Sequence, residues 1–100
     1  MIEAEVRNAL QALRSAEARL AAAAVARASA QQQYESEQRR FDAGLATVFL
    51  VLQRQTVAIT AQAREIEAQA DVNVAAAQLR RATGTTLEAR GVAVPGQGRP

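Results

Sequence analysis

Side chains that could carry out chemistry are few in this chain, because its 100 residues include neither cysteine nor histidine. Thiolate nucleophiles, histidine general bases, disulfide frameworks and thiolate zinc sites are therefore excluded. The remaining candidates are carboxylates spaced two residues apart, at Glu35 and Glu37 and at Glu65 and Glu67. Residues at i and i+2 face different sides of a helix, so we expect these carboxylates to be solvated. We predict no catalytic residue, no metal site and no cofactor, and hence no enzyme.

Other polar side chains favour structural roles over binding. Tyr34 could form a hydrogen bond across a helix seam, although its place in an apolar row favours packing. Arg39 and Arg40 are typical of a helix end, where cations suit the negative end of the dipole. All 12 basic residues are arginines, opposed by 10 acidic residues and interleaved with glutamates. This arrangement forms no basic stripe, so we expect no nucleic-acid partner.

The composition predicts long helices. Hydrophobic residues make up 49% of the chain, but 25 residues are alanine and only 3% are aromatic. Alanine is the best helix former and buries little apolar area. A β-rich fold and a walled, dry ligand pocket are both disfavoured. We therefore predict an all-α fold, an antiparallel two-helix coiled-coil hairpin over residues 1–90 that self-associates into a helical bundle.

Two seven-residue series predict the first helix, over about residues 3–41. The members of the larger series are Val6, Leu13, Leu20, Tyr34 and Phe41, with Arg27 as an interruption. The members of the smaller series are Ala9, Ala16, Ala23 and Ala30, with Glu37 at the end. Steps of three and four residues place both series on one side of a helix, as the a and d rows of a coiled coil. The alanine row lets a partner helix approach closely.

A turn is predicted at residues 42–47. Gly44 can adopt the left-handed conformation that ends a helix, and Thr47 is a good N-cap for the next one. So short a connection makes the two helices antiparallel neighbours.

The second helix is predicted over about residues 48–83. Its expected seam rows are Leu52, Ile59 and Ile66, with Thr56, Ala63, Ala70 and Ala77. Beyond Ala70 the large residues shift to Val72 and Leu79, which predicts a stutter in the heptad pattern. Gly84 is expected to stop this helix, and residues 91–100 to form a flexible tail.

Both helices carry more apolar and small positions than one seam needs. These extra residues are Leu10, Ala21, Ala24, Val25 and Ala28 on the first helix and Val57, Ala58, Ala61 and Ala68 on the second. They indicate either alanines tolerated at the surface or a second seam against another hairpin. The second interpretation predicts a dimer or higher oligomer for the isolated chain. The apolar run at residues 48–52 indicates packing between subunits or a docking patch at the tip.

The turn and the helix end together resemble a known family. The sequence Phe41 to Thr47, followed by Val51, Leu52 and Gln55, looks like the periplasmic turn of TolC-type outer-membrane efflux channels. The residues Ala76, Leu79, Ala82, Thr83 and Gly84, with Thr85 and Leu87 after them, are similar to the end of the helix that follows that turn. The resemblance covers about residues 2–90.

This resemblance implies a fragment, the C-terminal periplasmic hairpin of a trimeric tunnel in the outer membrane of a Gram-negative bacterium. The hairpin itself would not span the membrane, and its tip would dock the hairpin tips of a membrane-fusion adaptor. The implied docking residues are Gly44, Leu45 and Thr47. Two positions depart from the family: Leu50 stands where an acidic residue is common, and Ala46 argues against an ionic latch.

The alternative is a generic coiled-coil interaction or scaffold hairpin, such as the hairpin of an efflux adaptor. An Arg-Leu-Ser-type tip, which adaptor hairpins carry, is missing from this sequence.

Overall fold

Two long antiparallel helices make up the described part of the chain. A computed structural model describes residues 2–89, and the side chains of residues 3–85, as α1 (Ile2–Asp42) and α2 (Val48–Ala89) packed against each other. The molecule measures 71 × 29 × 14 Å along its principal axes, which are the dimensions of a rod. The predicted antiparallel hairpin is therefore confirmed. The tail predicted at 91–100 lies outside the described residues.

Helix α1 follows the sequence pattern closely. Its 41 residues contain no glycine or proline, and Glu3 and Glu5 in the first turn and Arg39 and Arg40 in the last suit the helix dipole. Ala16, which is 1% exposed, and Ala30 are buried against α2. The other members of the two predicted rows are half-buried, except Phe41 at the tip, which is exposed. The predicted seam of α1 is confirmed.

The seam of α2 lies on a different row from the one predicted. Leu52, Ile59 and Ile66 are 53%, 58% and 71% exposed, so they do not face α1. The residues that do so form two unbroken seven-residue series, in which every member is buried or half-buried: Val51, Ala58, Glu65, Val72 and Leu79, and Ala61, Ala68, Ala75 and Ala82. Since both series continue without a break, there is no stutter at Ala70. Ala58, Ala61 and Ala68, expected to be spare, are the seam itself.

Continuity along the helix explains this choice of seam. The row of Leu52 reaches Asn73 and Arg80 after three large residues, so it could cover only part of α1. The row of Val51 stays compatible with packing as far as Leu79. Ala58 in this row and the alanines of the second series are buried or half-buried, as are the alanines in the seam of α1, and such small residues allow close approach of the two backbones. In the described residues no large side chain is fully buried, and the buried core consists of alanines.

Helix α2 also continues past the predicted stop at Gly84, to Ala89. Gly44 is the one glycine with positive φ in the described residues, so Gly84 does not adopt the left-handed cap conformation. The hydroxyls of Thr83 and Thr85 donate hydrogen bonds to carbonyl oxygens one turn back, as helical threonines do. Without a left-handed glycine, nothing ends the helix at this point.

Candidate docking tip

A Schellman turn ends α1 and defines the tip of the hairpin. The amide of Leu45 donates a hydrogen bond to the carbonyl oxygen of Arg40 at 2.8 Å, and the amide of Gly44 donates to that of Phe41 at 2.9 Å. These are the six-to-one and five-to-two bonds of the motif, with Gly44 at C′. Gly44 has φ of +76°, a conformation that residues with a Cβ rarely adopt. The glycine predicted to end α1 is thus the residue that reverses the chain.

Thr47 begins α2 as its N-cap. Its hydroxyl oxygen accepts a hydrogen bond from the amide of Leu50 at 3.3 Å, and its carbonyl oxygen accepts one from the amide of Val51 at 3.3 Å. The first bond satisfies one of the amides that a helix N-terminus leaves unpaired. Both ends of the connection are therefore held by local hydrogen bonds, and residues 43–47 form a defined turn.

An arginine side chain reinforces this turn from α1. The guanidinium of Arg40 donates a hydrogen bond from Nη2 to the carbonyl oxygen of Leu45 at 3.3 Å. Its Nε lies 3.4 Å from a carboxylate oxygen of Glu37, three residues earlier. The backbone of Leu45 is thus bonded on its amide side and its carbonyl side, while its side chain remains free to contact a partner.

Large apolar side chains surround the turn and face solvent. Leu45 is 67% exposed and Phe49 is 70% exposed, and Phe41 and Val48 are exposed as well. We call these four residues the apolar tip. Gly44, Leu45 and Thr47, the predicted docking residues, all lie within the same turn. Phe41 and Phe49 were not among the predicted docking residues: Phe41 was assigned to the seam row of α1, and Phe49 to the apolar run that indicated packing between subunits or a docking patch.

Gly44 combines a required backbone conformation with open space around it. A Cβ built on Gly44 would meet no atom within 4 Å, so a substitution there is resisted by the positive φ and not by a clash. The surface above the glycine is accordingly open to a partner. This arrangement can bind an apolar surface through Leu45 and its neighbours, but it brings together no groups for acid–base or nucleophilic chemistry.

An ion pair in the seam was missed by the sequence analysis. Nε of Arg27 lies 2.7 Å from a carboxylate oxygen of Glu65, and both side chains are partly exposed. Arg27 lies in a seam row of α1 and Glu65 lies in a seam row of α2, so the two charged residues face each other across the seam. Glu65 had been expected on a solvated face; the signal that could have located it was the need of Arg27 for an acidic partner across the seam.

The described residues contain no metal-binding cluster, and neither described helix is long and apolar enough to cross a membrane. Comparisons with protein-family models, with curated proteins and with solved structures gave no match. The tip is a hydrogen-bonded turn that presents four exposed apolar side chains, and a functional proposal rests on this feature.

Proposed function

We propose that this hairpin is a periplasmic segment of a trimeric, TolC-type outer-membrane efflux tunnel. Its turn would form the tunnel entrance and dock the hairpin tips of a membrane-fusion adaptor. The proposal is carried by one observation: the Schellman turn at Gly44 holds Leu45 rigidly in place while leaving its side chain 67% exposed. An apolar residue fixed in this way binds a partner without a large loss of conformational entropy.

Features of the rod agree with such a role. Helix α1 is roughly 60 Å long at 1.5 Å per residue, so the tip lies far from the other end of the hairpin. Helix α2 has apolar residues on the side opposite α1, where a neighbouring hairpin in a tunnel wall would pack. The mechanism is structural: the seams hold the wall together, and the tip sets the width of the entrance and contacts the adaptor.

Position-specific photocrosslinking in the full-length protein, in cells, tests the docking role. A photoreactive amino acid at Leu45 is expected to crosslink to a membrane-fusion adaptor. The same label at Val25, which is 70% exposed near the middle of α1, is the matched control and should give no adaptor product. No adaptor product at Leu45 would contradict the proposal.

Substitution at the tip gives a second, functional readout. Leu45→Asp should lower drug efflux strongly, because a charge replaces the apolar contact at the docking surface. If efflux and protein level are both normal with Leu45→Asp, the turn has no docking role.

A coiled-coil scaffold is the second candidate, and the exposed row of Leu52, Ile59 and Ile66 favours it. In that case the working surface is the side of α2 and not the tip. The crosslinking experiment separates the two, because a scaffold would give products from labels along α2 and none at Leu45.

A further inference from the structure

A charge-free apolar stripe runs along the outer side of α2. Ile59 and Ala61, like Ile66 and Ala68, are two residues apart, which is roughly 200° around a helix. Since Ala61 and Ala68 pack against α1, the isoleucines lie on the opposite side of α2. We call this surface the outer stripe. Its members, all exposed, are Val48, Leu52, Thr56, Ile59, Ala63, Ile66 and Ala70.

The outer stripe has the pattern of a coiled-coil seam. Leu52, Ile59 and Ile66 repeat every seven residues, and the smaller Thr56, Ala63 and Ala70 follow each of them by four. Because the seven-residue repeat keeps both rows on one side of the helix, an antiparallel copy can pack on this surface along its whole length. Water-exposed apolar surfaces of this regularity are typical of interaction sites.

We propose that the outer stripe binds the outer stripe of a second copy of this chain, in an antiparallel dimer with its two-fold axis at Ile59. Ile59 then meets Ile59, and Leu52 of each copy meets Ile66 of the other. Val48, the first residue of α2, comes opposite Ala70, where the stripe ends. The overlap of the two helices thus coincides with the stripe.

This register also removes polar residues from the contact. Asn73 and Arg80 follow the stripe on the same side of α2. In the antiparallel dimer both lie beyond the start of the other copy's α2. In a parallel pair, Arg80 would face Arg80 across the contact, and like charges there repel.

A closed, two-fold symmetric dimer is favoured over a head-to-tail contact, in which α2 of one copy would pack on the outer side of α1 of the next copy. The side of α1 opposite its seam is small and mostly polar, with Asn8, Ser15 and Ser29 on it, and needs no cover. An isologous pair covers both outer stripes with one contact. A head-to-tail pair would leave one stripe exposed in any open chain of copies.

The size of the stripe predicts a reversible dimer. Residues 48–70 cover roughly 33 Å of helix about 12 Å across, on the order of 400 Å² for each copy. The pair then buries about 800 Å², which is below the area of stable complexes. We therefore expect dissociation on dilution, and not a permanent assembly.

Cysteine crosslinking tests the register, since the chain has no native cysteine. Under mild oxidation Ile59→Cys should form a disulfide dimer by itself. Leu52→Cys and Ile66→Cys should form little dimer separately but should crosslink to each other when mixed. Self-crosslinking of all three variants would indicate a parallel pair, and failure of Ile59→Cys would overturn the proposed axis.

Sedimentation equilibrium of the whole chain tests the dimer itself. The wild-type mass should rise with concentration from 10.6 kDa towards twice that value. Ile59→Asp should raise the dissociation constant by at least about tenfold, because two carboxylates meet at the axis. Val25→Asp, on the outer side of α1, should leave it unchanged, and circular dichroism should show that both variants remain helical.

A wild-type mass of 10.6 kDa at every concentration would refute the dimer. The dimer is a property of this chain and does not depend on the tunnel role. It can fail while Leu45 still crosslinks to an adaptor, and the adaptor experiment can fail while the dimer persists.

Discussion

Helices α1 and α2 are nearly equal in length, 41 and 42 residues, but they distribute their apolar side chains differently. Helix α1 places most of its large residues on one side, and that side is the seam; Val25, on the outer side, is the exception. Helix α2 carries apolar residues on two opposite sides, and the side with the larger residues, Leu52, Ile59 and Ile66, faces solvent. Side-chain size therefore does not decide which side of α2 forms the seam. The side that does so has unbroken seven-residue rows and places Glu65 beside Arg27.

The largest effect should come from two alanines that stand two residues apart on α2. Ala68→Leu should destabilise the hairpin by about 1–3 kcal/mol, because Ala68 is buried in the seam and a larger side chain there forces its neighbours to shift. Ala70→Leu, on the exposed outer stripe, should change the free energy of unfolding by less than about 0.5 kcal/mol. Urea unfolding followed by circular dichroism, at a protein concentration below the dissociation constant of the dimer, measures both. The reverse order would place the seam on the other side of α2.

Alanine substitutions of Gly44 and Gly84 should change the free energy of unfolding in opposite directions, because α1 ends at Gly44 and α2 continues through Gly84. Gly44→Ala should destabilise the hairpin by about 1 kcal/mol, since φ of +76° disfavours any residue with a Cβ. Gly84→Ala should stabilise it by about 0.5–1 kcal/mol, because Gly84 lies within a helix with open space around it. Thermal unfolding compares the two variants directly. Destabilisation by Gly84→Ala would mean that α2 ends where the sequence pattern predicted.

The interaction energy between Arg27 and Glu65 should be smaller than the stability change predicted for Ala68→Leu. In a double-mutant cycle of Arg27→Leu and Glu65→Leu, we expect an interaction energy of about 0.5–1 kcal/mol between these partly exposed groups. Glu65→Leu alone should destabilise the hairpin, because it leaves Arg27 without its carboxylate. The coupling should weaken in high salt. Additive single effects would show that the pair does not help to align the helices.

The smallest effect on the stability of the hairpin is expected from two large exposed residues of the outer stripe. Leu52→Gln and Ile66→Gln should each alter the stability of the monomeric hairpin by less than about 0.5 kcal/mol, because neither side chain packs against α1. Urea unfolding at a protein concentration below the dissociation constant of the dimer measures both effects. A loss of several kcal/mol would mean that these residues belong to the seam after all.

The tip could be predicted from the sequence in some detail, and the reason is that its interactions are local. The turn at Gly44 reverses the chain and Thr47 caps α2 through hydrogen bonds that span no more than five positions. Such turn chemistry depends on residue type and short-range geometry. The exposure of Phe49 could not be predicted in the same way, because it depends on which side of α2 meets α1.

Alanine content, seven-residue spacing and cap residues act within one helix or one turn, so the antiparallel pair of helices, the seam on α1 and the turn at Gly44 could all be predicted from the sequence. Which side of α2 joins that seam could not be predicted in this way. The two sides of α2 have equal spacing, and the choice depends on contacts between the helices, such as the approach of alanine to alanine and the 2.7 Å ion pair of Arg27 with Glu65. Those contacts join residues far apart in the chain, so no local pattern contains them.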